Sequence, residues 1–165
     1  MYRRFVETSS KFIVPTGIRN LDKRLKMSVG KVVGVVAGPG VGKTTLAIQM
    51  LNEMAKQKQR AIFFSYDMYI PLVVQKLMQR HTDMSEEQIQ SAMEELSPEN
   101  EALFRKILKE NYETIDICFQ TGQSPEDIVK TLEDRRSELG QDINLIVIDY
   151  NELIASEQTD GTDRS

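Results

Sequence analysis

The clearest chemistry in the chain lies in Ala37-Gly38-Pro39-Gly40-Val41-Gly42-Lys43-Thr44. The pattern G-x-x-x-x-G-K-[ST] marks a phosphate-binding turn, and this segment departs from it only at Ala37, by one methyl group. A polyphosphate must be wrapped by backbone N–H groups turned inward, which calls for glycines at positive φ. The N-terminus of a following helix adds its dipole. Lys43 supplies a mobile point charge for the outer phosphate oxygens, and the Thr44 hydroxyl can sit on Mg²⁺. Residues 37–45, with Thr45 as the last, are therefore the candidate nucleotide-binding residues, and ATP with Mg²⁺ is the implied ligand. The bland reading is a Gly-rich turn with an accidental Lys-Thr.

Such a site needs a carboxylate at the end of another buried strand to support the metal. Asp149 follows Leu145-Ile146-Val147-Ile148 and fits, which makes Thr44 and Asp149 the metal candidates. Hydrolysis also needs a group that orients or deprotonates water. Asp67, directly after Phe63-Phe64-Ser65-Tyr66, is the first candidate, and Glu152 is the second. Lys43, Asp67 and Asp149 together form the expected catalytic set. Each acid could instead be a solvated loop residue.

The elements that must hold these groups are legible in the patterning. Residues 31–37 (KVVGVVA) form a continuous β-branched run, the signature of a strand buried on both faces of a parallel sheet. Residues 60–66 and 144–150 read the same way, and residues 115–119 have strand composition. Helices are expected over 16–25 with Thr16 as a cap, over 43–56, and after Pro71. Further helices start from a capping box at Ser85 to Gln88, from Ser97-Pro98, and from Ser124-Pro125 with Gly140 as its stop. Strands alternating with helices argue for an α/β fold, a mainly parallel sheet flanked by helices. Residues 1–16 read as an arm, 17–155 as the core and 156–165 as a polar tail.

Composition bounds the function. The 165 residues suit one domain, and 40% hydrophobic with 28% charged is ordinary globular chemistry. One cysteine excludes an internal disulfide, and one histidine removes most His-based catalysis and metal binding. No apolar run approaches the ~20 residues that span a bilayer, and Arg3-Arg4 has no apolar stretch behind it. A cytoplasmic protein without membrane partners is expected. A net charge of −4 argues against a non-specific nucleic-acid coat.

Taken in order, Pro15-Thr16-Gly17-Ile18, Leu21-Asp22 and Leu25, the Ala-first turn, Ser65-Tyr66-Asp67-Met68 and Ile148-Asp149-Tyr150 resemble the RecA-like ATPase domain of DnaB-type replicative helicases. The resemblance covers about residues 14–154. The entry segment is shared with KaiC-like and RadA-like ATPases, whereas the S-x-[ED]-M step, the I-D-Y ending and Ala37 favour the DnaB-type branch. It implies a RecA-like P-loop NTPase, a homo-hexameric motor that hydrolyses ATP between subunits and moves along single-stranded DNA. It implies that Lys43 and Thr44 touch phosphate and metal, and that the arm docks on a neighbour.

This sequence also departs from that pattern. Asp67 stands where the family has glutamate, and Tyr150-Asn151-Glu152-Leu153 replaces tyrosine-leucine-glutamine-leucine. The family's DNA-contacting loops, a further strand lying between the P-loop strand and the acidic strand, and an arginine finger would fall beyond Ser165. The domain thus reads as C-terminally truncated. The expected function is the ATP-binding and hydrolysing motor domain of a replicative helicase. The alternative is a catalytically weak or inactive nucleotide-binding module, either a helicase remnant or a KaiC/RadA-like regulatory ATPase.

Overall fold

The computed structural model describes residues 13–28, 30–66, 70–95, 97–119 and 123–149. The described chain opens with two short strands, β1 (Ile13–Val14) and β2 (Met27–Ser28), paired antiparallel. Between them lies α1 (Arg19–Asp22), shorter than the expected helix over 16–25. Thr16 is not its cap, because Ile18 occupies that position. Thr16 instead donates from its backbone N and its Oγ1 to Asp22 Oδ1 at 2.7 and 2.6 Å, and accepts from the Ile18 N–H. Gly17 sits at φ 75° against the next helix, where a Cβ would collide with the Gln49 and Glu53 side chains.

The remaining elements are α2 (Lys43–Lys56), β3 (Ala61–Ser65), α3 (Ile70–Met78), α4 (Glu86–Glu95), α5 (Pro98–Tyr112), β4 (Ile115–Cys118), α6 (Pro125–Leu139) and β5 (Leu145–Asp149). Their starts follow local rules. Ser97 and Ser124 cap α5 and α6, each with proline in the first turn, and Asp127 closes a full capping box on Ser124. Ser85 and Gln88 exchange the reciprocal bonds of a second box before α4. Gly140 stops α6 in the left-handed conformation.

β3 is the centre of a parallel three-stranded sheet in the order β4-β3-β5. Every β3 residue is buried, as its apolar run requires. Ala61 and Phe63 pack toward Ile48, Leu51 and Met54 of α2, while Ile62 and Phe64 pack toward Ile128 of α6. A satellite cluster of Met78, Ile89, Ala92, Phe104 and Ile107 joins α3, α4 and α5.

One expectation is overturned. Residues 31–37 pair with no strand among the described residues and are largely exposed, with Val32 and Val36 essentially bare. Among the described residues β5 likewise has a strand neighbour on one edge only, and Ile146 and Ile148 stay about two-fifths exposed. A β-branched run records a preference for a pleated, covered surface, but the neighbour must exist for burial to follow. The strand that the resemblance places between these two segments is not among the described residues.

Candidate nucleotide-binding site

The candidate site lies at the rim formed by the C-terminal ends of the strands. α2 packs against β3 and β5, and residues 57–60 join its C-terminus to the start of β3, so its N-terminus faces that rim. In open α/β sheets, ligands bind outside these strand ends.

Residues 38–42 form the turn into α2. Gly40 and Gly42 adopt φ 73° and 104°, backbone states that an L side chain resists. Gly42 is the N-cap of α2 and has no side chain to cap it, and no acid lies in the first turn of α2. The leading N–H groups are thus left to an anion. Lys43 Nζ donates to Ala37 O at 2.9 Å and Gly38 O at 3.0 Å. An ammonium has three donors, so one remains for a phosphate oxygen. Ala37 is half-buried, Thr44 is half-buried at the first turn of α2, and Pro39, Val41 and Thr45 are exposed. Residues 37–45 thus run continuously from the segment before the turn, through it and into the first turn of α2.

Asp149 ends β5 in register with Ser65, and the Tyr66 N–H donates to Asp149 O at 2.7 Å. Its Oδ2 is buried with no hydrogen-bond partner among the described residues. An orphaned carboxylate oxygen at the phosphate rim suits a hard divalent cation held through oxygen ligands, so the residues present fit Mg²⁺. Asp67 and Glu152 lie outside the described residues.

Patterning did not reveal two other features. Tyr66 donates its hydroxyl proton to Gln123 Oε1 at 3.0 Å, and both side chains are buried. Burial, with Cys118 and Asp127 nearby, raises the Tyr66 phenol above its usual range and keeps it a neutral donor. Away from the rim, Tyr112 donates to Asn52 Oδ1 at 3.2 Å, and His81 Nε2 lies 3.0 Å from the same phenol oxygen. The phenol has one proton, so His81 is the donor in that second bond. The only advance signal for the first pair was the position of Gln123, directly before the Ser124 capping box.

A parallel α/β sheet with a Gly-rich turn into a helix N-terminus and a carboxylate at the end of another strand defines a P-loop nucleotide-binding domain. Residues 13–165 match the family described as the DnaB-like helicase C-terminal domain. The chain belongs to that family. It is 32% identical over 161 residues to a probable plasmid replicative DNA helicase of Chlamydia trachomatis serovar L2, covering 92% of this chain and 34% of the relative. A namesake from Chlamydia muridarum is 33% identical over 79 residues, covering 47% of this chain and 18% of that one. The chain thus spans about a third of the length of the first of these relatives.

Two solved structures share the fold. The ATPase domain of G40P superposes with a TM-score of 0.69 at 21% identity, covering 96% of this chain and 57% of that one. A DnaB-like replicative helicase, studied for its interactions with primase, gives 0.72 at 19%, covering 96% and 40%. The fold expectation, a RecA-like sheet flanked by helices, therefore holds.

Proposed function

We propose that this chain is the ATP-binding part of a DnaB-like replicative helicase motor. The observation that carries the reading is the uncapped start of α2 with Lys43 held over it by two loop carbonyls. In this reading the N–H groups of Gly38 and of residues 40–45 cradle the phosphates, Pro39 having none to give. Lys43 neutralises the β/γ oxygens, and the Thr44 hydroxyl and Asp149 hold Mg²⁺. Bound Mg²⁺ would neutralise charge developing on the phosphate oxygens. Asp67 orients the attacking water. In the longer protein the activity is unwinding, with single-stranded DNA as track, a homo-hexamer as assembly and the cytoplasm as compartment. The arm over 1–16, the core over 17–155 and the tail over 156–165 belong to this reading. Among the described residues no helix is long and apolar enough to cross a membrane.

A fluorescent ATP analogue titrated with Mg²⁺ against wild type and Lys43→Ala tests it. Losing a charge-assisted contact should weaken binding about 10- to 100-fold. Equal affinity would sink the reading.

One observation favours a second reading, a module that binds ATP but turns it over slowly. The segment leading into the turn, residues 31–37, has no strand partner among the described residues, so no ladder within them fixes the base of the phosphate loop. Rapid DNA-stimulated hydrolysis by the 165-residue chain would exclude that reading.

A further inference from the structure

The geometry points to Tyr66 and Gln123 as a positioning pair that holds the end of β5, and with it the Asp149 carboxylate, in place for the metal. The proposal rests on the nucleotide reading and goes beyond it, because neither residue belongs to a phosphate-binding pattern.

A continuous line of hydrogen bonds crosses the rim. It begins at the start of α6, where Ser124 accepts from the Asp127 N–H and Asp127 accepts from Ser124, so the chain entering α6 is fixed. Gln123 is the preceding residue, and its Oε1 accepts the Tyr66 hydroxyl proton. The Tyr66 backbone N–H then donates to Asp149 O at 2.7 Å, one step beyond the last register pair, Ser65 with Asp149. The Tyr66 ring also stacks near Phe64, with centroids 6.4 Å apart. Tyr66 is thus held from its backbone, its ring face and its hydroxyl.

The need for such a brace follows from the sheet. β5 is paired only to β3 among the described residues, so the restraint they place on its C-terminal end comes from the β3 side. Its last residue carries a buried carboxylate oxygen with no partner among the described residues. A carboxylate that must meet a cation with near-ideal octahedral demands gains from a fixed backbone. A tyrosine–glutamine bond buried at the rim supplies that restraint, because leaving either group unmade in a buried site is costly. Tyr66 is a positioning residue here, acting through the Asp149 backbone.

The test uses the full 165-residue chain and a fluorescent ATP analogue, titrated in EDTA and then across Mg²⁺ concentrations. Tyr66→Phe removes the hydroxyl, and Gln123→Met keeps similar volume without the acceptor. Both variants should bind the analogue in EDTA like wild type, while the Mg²⁺ concentration for half-maximal enhancement rises about 3- to 10-fold, the worth of one neutral hydrogen bond. Amide exchange at residue 66 should quicken in both. Asp149→Asn sets the upper limit of the metal effect.

Wild-type Mg²⁺ dependence and exchange in both variants would overturn the proposal. So would an equal loss of affinity with and without Mg²⁺, which marks a merely structural pair. If Lys43→Ala binds as tightly as wild type, the nucleotide reading fails on its own, and amide exchange still decides whether the pair restrains β5. Should Tyr66→Phe fail to fold, Gln123→Met carries both readouts.

Discussion

In the proposed reaction Lys43 and Asp67 would act at opposite ends. Lys43 already has two backbone acceptors, so its charge is oriented before any phosphate arrives. Asp67 is one methylene shorter than the glutamate that the family resemblance supplies at this step. A shortfall of about 1 Å in the placement of a catalytic group can cost about a hundredfold. Asp67→Glu should therefore raise phosphate release by about 10- to 100-fold, and Asp67→Asn should lower it. Indifference to both changes, measured as single-turnover release, would remove Asp67 from the mechanism. The phosphate turn was readable because its demands are local: glycines with positive φ, then Lys-Thr at a helix start. The Tyr66–Gln123 bond was not, since its partners are 57 residues apart and only the folded sheet brings them together.

Helix ends were the most legible elements, and they also carry a titration. Ser85, Ser97 and Ser124 announced α4, α5 and α6 because caps are satisfied within four residues. The strand at 31–37 was misread because burial of a β-branched run depends on partners that periodicity does not specify. At the far end of α3, His81 donates to Tyr112, which in turn holds Asn52 of α2. Burial first, then the Arg80 and Lys56 charges, lower the His81 pKa below 6.5. Tyr112, pushed up to about 12 by burial, stays neutral across the accessible range. In the window below 6.5 the unfolded chain binds the proton more readily than the folded one. Stability should therefore fall as pH drops through that window and hold steady above it. His81→Gln keeps a donor for Tyr112 and should flatten the slope. Denaturant midpoints collected across that pH range check this, and because His81 is the chain's sole histidine, a slope that persists would rule it out as the cause.

At the scale of the molecule, β3 is fully enclosed while β5 and residues 31–37 are not. The core is built around α2, β3 and α6, and among the described residues nothing covers the apolar surface on the β5 side. A sheet edge with unpaired N–H and C=O groups beside exposed valines and isoleucines is a template for another strand. The 165-residue chain should associate as its concentration rises. Ile146→Lys, which places a charge on that surface, should keep it monomeric, with sedimentation at low and high concentration as the measurement. A wild-type chain that stays monomeric and melts cooperatively well above ~65 °C would contradict this account.

The open flank of β5 also bears on how long such a chain would survive in a living cell. Exposed backbone groups next to bare aliphatic side chains are what chaperones and proteases engage. Nucleotide bound at the rim would draw the population toward the folded form by mass action. The abundance of the chain would then track the supply of nucleotide.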